Sequence, residues 1–131
     1  MRYKYIAYKY DRRSGNATAF HGVWESFGAW THPSAIVWRP PTDVYETRDN
    51  LIIVIELAGV TEDDMAVTLF SDLLVVEGVR TQTASPINAC HQLGIKYGEF
   101  RSEVLVPFPV DTAKVKAEYK NGLLTVTLNK L

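Results

Sequence analysis

The dipeptide Asn121-Gly122 constrains the fold of this chain more than any other pair of residues in it. A two-residue hairpin loop of type I′ needs positive φ at both central positions, and Asn followed by Gly tolerates that best. Before the turn Val115, Ala117 and Tyr119 alternate with Lys116, Glu118 and Lys120; after it Leu124, Val126 and Leu128 alternate with Thr125 and Thr127. That period of two gives each arm of the hairpin one apolar face. A lone hairpin is marginal in water, so the apolar face needs a second layer, which the upstream chain must supply.

The upstream chain divides at Trp38-Arg39-Pro40-Pro41, because two prolines favour extended backbone and forbid a helix across the join. Residues 1–37 read as an N-terminal aromatic arm and residues 38–131 as one domain, which suits a chain of 131 residues. In the domain Val44-Tyr45-Glu46 is a short first strand. Leu51, Ile53, Ile55 and Leu57 load one face of the next, and Ile52 and Val54 load the other, so that strand is central. Gly59 allows an unusual backbone angle, and Thr61 is a candidate N-cap for the acidic turn Glu62-Asp63-Asp64. That cluster lacks the alternating ligands of a calcium loop. Met65, Val67 and Leu69 alternate, Ser71-Asp72 turns, and Leu74 and Val76 return towards Gly78; Phe100, Ser102, Val104 and Val106 alternate again before Pro107. Asp111 is placed to cap the single turn Thr112-Ala113-Lys114. Short strands joined by tight turns, with no helix, predict an all-β domain built as an antiparallel β-sandwich.

The arm and one loop differ from this pattern. Arg2, Lys4, Lys9, Arg12 and Arg13 interleave with Tyr3, Tyr5, Tyr8 and Tyr10, which suits either a single-stranded nucleic-acid platform or a plain edge strand. A net charge of -1 gives the whole molecule no field that seeks polyanions, so no nucleic-acid partner is expected. Phe20, Val23, Trp24, Phe27 and Trp30 recur at helical spacing, though Gly22 and Gly28 weaken the helix and Pro33 ends it. The arm is therefore expected to be partly helical or disordered, and its stripe either packs on its own domain or binds a partner. Its polar side offers His21, Glu25, Ser26 and Thr31 instead of Lys or Arg, which argues against a membrane surface. From Thr81 to Ile95 there is no charged residue, and a loop of that length is a candidate for reaching another subunit.

No catalytic or metal constellation emerges. His21, His32 and His91 are dispersed, Cys90-His91 lacks the paired spacing of a zinc site, and the glycines stand singly rather than in a phosphate-cradling loop. No cofactor, metal or enzymatic activity is expected. A single cysteine and no apolar run long enough for a signal or a membrane span point to a soluble, cytoplasmic protein.

Several motifs fall in a familiar order: Trp38-x-Pro40, Asp43-Val44-Tyr45-Glu46-Thr47, Glu56-Leu57-Ala58-Gly59-Val60, Asp64-Met65-x-Val67, Leu74-x-Val76-x-Gly78-x-Arg80, Tyr97-Gly98-x-Phe100, Pro107-x-x-Val110-Asp111 and the closing hairpin. Together they resemble the α-crystallin domain of the small heat shock protein (Hsp20) family. The resemblance implies an immunoglobulin-like sandwich that forms a homodimer or a higher oligomer and holds non-native client proteins without ATP. It also implies strand exchange through the long loop, here around Gln92, Leu93, Gly94, Ile95 and Tyr97. A sandwich open at one edge would leave an apolar groove between Met65, Val67 and Leu69 and Val115, Ala117 and Tyr119, with Ile36-Val37-Trp38 as a candidate occupant. Phe20, Trp24, Phe27 and Trp30 are the candidate client-binding residues of the arm. Three departures stand out. The chain stops at Leu131 without an Ile-x-Ile-like tail, which puts tail-linked assembly in question. Ser102 and Gly94-Ile95 replace charged residues of the family's dimer region, which predicts a weaker or rearranged dimer. The long loop is uncharged. The rival readings are a co-chaperone or adaptor of the related CS-domain type that binds one folded partner, and a carbohydrate-binding sandwich using Trp24, Trp30 or Trp38.

Overall fold

The computed structural model of the chain describes residues 5–8 as backbone, and residues 37–82 and 85–131 with their side chains. The aromatic stripe Phe20, Trp24, Phe27 and Trp30, together with His21, His32 and Ile36, lies outside the described residues. Among the described residues eight strands follow in order: β1 (Tyr5–Tyr8), β2 (Thr42–Glu46), β3 (Asn50–Glu56), β4 (Met65–Phe70), β5 (Leu73–Arg80), β6 (Gly98–Leu105), β7 (Lys116–Lys120) and β8 (Leu123–Asn129). They form two four-stranded sheets, ordered β1-β4-β5-β6 and β2-β3-β8-β7. Every pairing is antiparallel except β1 with β4, which is parallel. This is the expected antiparallel sandwich, with one added strand. Of the basic and aromatic N-terminal run, the four described residues form an edge strand.

The hairpin at Asn121-Gly122 has φ of 54° and 77°, both positive as the turn requires. It pairs β7 with β8 in the register Tyr119 to Leu124 and Ala117 to Val126, so both arms send their apolar residues to one side. β3 is central, between β2 and β8. Leu51, Ile53, Ile55, Leu124, Val126 and Leu128 from this sheet meet Met65, Val67, Leu69, Leu74, Val76, Phe100 and Val104 from the other in one core. The sandwich is closed on the β2–β6 side by a hydrogen bond between Thr42 Oγ1 and Ser102 Oγ at 2.8 Å. Ser102, where the resemblance expects an arginine, is buried inside the sandwich.

The two single turns behave differently. Asp111 accepts a hydrogen bond from the Ala113 amide at 3.0 Å and caps the 3-10 turn Thr112–Lys114 as expected. Thr61 precedes the 3-10 turn Glu62–Asp64 but makes no side-chain cap. Its hydroxyl donates instead to Asp64 Oδ2 at 2.8 Å, because a carboxylate three residues on is a stronger acceptor within the hydroxyl's reach.

Candidate functional site

Strand β2 overhangs the sandwich. Thr42 reaches the core edge, but Asp43, Val44, Tyr45 and Glu46 are exposed. Val44 faces the same way as its pairing partner Ile53, which is fully buried, yet Val44 is 44% exposed, so the opposite sheet does not extend beneath it. β2 is also an edge strand: it is paired on one side by β3, and among the described residues no strand pairs with its other side.

The second part of the surface is the segment between β5 and β6. Among its described residues there is neither strand nor helix, and Ile87, Leu93, Ile95 and Tyr97 are exposed. Gln92 and Gly94 are exposed as well. Its far end is stapled by Arg80, a buried residue on the core side of β5. Arg80 Nε donates to Lys96 O at 2.8 Å and Nη1 to Ala58 O at 3.2 Å. The guanidinium lies 4.4 Å above the Trp38 ring and 5.7 Å from the Tyr97 ring, an arrangement favoured by the ring quadrupole. The loop is thereby fixed at its root and exposed along its described length, beside a cleft of about 680 Å³ lined by Trp38, Arg80, Ile95 and Tyr97. Arg80 appears in the sequence only as part of a family motif. Its one further signal is that it takes the next inward position after Leu74, Val76 and Gly78, where a charge needs partners.

The six groove residues do converge, but inside the core. Met65, Val67 and Leu69 on β4 and Val115, Ala117 and Tyr119 in and before β7 are all buried in the shared cluster. Tyr119 donates its hydroxyl to Leu57 O at 2.6 Å, and burial pushes the phenol's pKa up. The outer edge of β4 is paired with β1, Tyr5 beside Val67 and Ala7 beside Leu69. Trp38 is not the occupant of this groove. It forms a bridge with Phe100 on β6, at the opposite edge of the same sheet, where its indole packs at a tilt of 59° against Phe100 (5.6 Å) and beneath Arg80. Buried in this way, Trp38 is no platform for a sugar either.

Among the described residues, no group of three or more His, Cys, Asp or Glu is placed to share a metal ion, and Cys90 is unpaired and exposed. No helix among them is long and apolar enough to cross a membrane.

Residues 43–131 match the Hsp20/alpha crystallin family. The chain belongs to that family. It is 30% identical over 106 residues to small heat shock protein C4 of Rickettsia felis, covering 80% of this chain and 65% of that protein. It is 32% identical over 95 residues to heat shock protein 16 of Schizosaccharomyces pombe, covering 70% and 66%. The chain thus spans just under two thirds of the length of these relatives. Among solved structures, heat shock protein 16.0 of S. pombe superposes with a TM-score of 0.66 at 30% identity, over 71% of this chain and 87% of that one. HSP18.5 of E. histolytica gives 0.64 at 28% identity, over 72% and 89%. The Hsp20 match starts at Asp43, inside β2, so the overhanging strand and the stapled loop both lie within the family domain. Trp38 and β1 lie outside it.

Proposed function

We propose that this Hsp20-family chain is a chaperone of the holdase type, which binds non-native proteins and keeps them from aggregating without ATP and without catalysing a reaction. The observation that carries the reading is the overhang of β2, a strand with one free edge and exposed apolar side chains, beside a loop that exposes Leu93 at 76% and Ile95 at 66%. A free edge binds extended backbone of any sequence, since main-chain hydrogen bonds are common to all chains, and exposed apolar groups add affinity without demanding one partner. The same surface suits self-association: the loop of one copy, extended around Gln92, Leu93, Gly94, Ile95 and Tyr97, lies along β2 of a second copy and leads to a homodimer or a larger oligomer. Phe20, Trp24, Phe27 and Trp30 of the arm, and the Met65, Val67, Leu69, Val115, Ala117 and Tyr119 groove once its edge is opened, are the client-binding groups. The protein works in the cytoplasm, where its exposed Cys90 stays reduced.

Size-exclusion with light scattering, followed by aggregation of heat-denatured citrate synthase, tests this. The expected result is a dimer or larger species that suppresses aggregation equally with and without ATP. A monomer inert towards the denatured protein would instead favour an adaptor that binds one folded partner.

A further inference from the structure

The two outer faces of the sandwich are not alike. On the β2-β3-β8-β7 sheet the outward residues of the central strands, Ile52 and Val54 on β3 and Thr125 and Thr127 on β8, are half-buried, as on any sheet face met by water. On the other sheet the outward residues are shut away: Thr68 is 2% exposed, Val75 0%, and Ala66 and Glu77 8% each. These four do not belong to the core between the sheets. Glu77 is paired there with Arg101 at 2.9 Å, a charge pair drawn out of water on the outside of a two-layer fold. Side chains this dry on an outer face call for a further layer over it. The long loop does not supply it, because Ile87, Leu93 and Ile95 are themselves 57%, 76% and 66% exposed. Strand β1 does not supply it either, since its four residues run along the edge of β4.

The connections say what does. β1 pairs with β4 at one edge of the sheet. Trp38 is tied to β6 at the other edge, its amide donating to Glu99 O and its carbonyl accepting from the Arg101 amide, both at 3.0 Å. Four strand spacings, about 19 Å, separate the two ties. The chain between them has to join these two edges, and roughly six extended residues would suffice for the distance. It has 29, residues 9–37. The surplus carries Phe20, Val23, Trp24, Phe27 and Trp30 at a spacing that lines up one apolar stripe. An apolar stripe in need of a cover and a face that is covered are held to one another by both ends of the same segment.

We propose that the outer face of the β4–β5–β6 sheet, at Ala66, Thr68 and Val75, is the docking surface for residues 9–36 of the same chain, seated through their aromatic stripe.

The test uses the full chain with Cys90→Ser and a single new cysteine on the outer face, Leu105→Cys, carrying a benzophenone. Leu105 is 67% exposed, at the rim of this face, so the change does not touch the core. On irradiation of mixed light and heavy chains, peptides from residues 9–36 of the same chain are expected to carry the adduct. Adducts confined to other segments, adducts only between chains, or none, would overturn the proposal; adducts only between chains would mean that a second copy covers the face. As a second measurement, Thr68→Cys in the same background is expected to resist thiol labelling, and adding Trp24→Ser and Phe27→Ser to raise the labelling rate about tenfold. Labelling of Thr68→Cys that is fast from the outset would equally refute the docking. Neither readout involves a client, so a failed holdase assay and a failed docking are separate results.

Discussion

Gly78 sits where β5 passes the chain entering β4, and a Cβ there would lie 2.0 Å from Asp64 O and 2.9 Å from Met65 Cα. Both are backbone atoms and cannot swing aside. Gly78→Ala should therefore cost about 3 kcal/mol or more, read as a lowered urea midpoint, although alanine is a modest change elsewhere in a strand. Glu77, the next residue, makes a pH-dependent contribution. Burial raises its pKa above the ordinary carboxylate value, and the Arg101 charge and hydrogen bond beside it only partly oppose this. The folded state then binds this proton more tightly than the unfolded state, so its contribution to stability falls as pH rises from the ordinary carboxylate value through the raised one. Urea midpoints of the wild type and Glu77→Gln between pH 4 and 7 should show the wild type losing ground to the variant with rising pH. The opposite slope would mean that the ion pair outweighs burial. Neither effect was visible in the sequence, where Gly78 reads as a strand end and Glu77 as an ordinary polar residue between apolar ones; both depend on what lies across from them.

Among the elements, the hairpin was the most legible because its information is local. Asn121-Gly122 sets the turn, the turn sets the register, and the register sends Ala117, Tyr119, Leu124 and Val126 to one side. The central place of β3 was legible for a related reason, since apolar residues on both faces of a strand need cover on both. The overhang of β2 was not. Val44 and Tyr45 read as strand residues, and only the short reach of the opposite sheet leaves the inward-facing Val44 44% exposed, while Tyr45 beside it points away from the core. The groove between β4 and β7 was not legible either: alternation puts the six side chains on inward faces, but that the two layers close over them as core is a tertiary matter. The loop between β5 and β6 gives the prediction at this scale. Leu93→Asp with Ile95→Asp should dissociate the self-associated protein by at least one assembly step in light scattering, because a charge pressed against the apolar face of a partner strand is costly. The urea midpoint of the isolated subunit should barely move, because both residues are exposed.

At the scale of the whole molecule, the proposed holdase role joins the arm to the sandwich. Replacing Trp24, Phe27 and Trp30 with serine should lower protection of denatured citrate synthase several-fold per subunit while the far-ultraviolet signal of the sheets persists, since the described core is built from residues of the sandwich itself. Unchanged protection would assign client binding to the domain alone. The sequence by itself determined the class of fold, the order of the strands, the hairpin register and the family, because period-two alternation, turn chemistry and motif spacing are all written along the chain. Only the tertiary structure decided that Arg80 staples the loop, that Trp38 closes the β6 edge, that β1 lines β4, and that one outer face is dry while the other is wet. The physical reason is that each of these is a contact between segments far apart in the chain, and their meeting depends on how two twisted sheets of unequal reach are laid over one another.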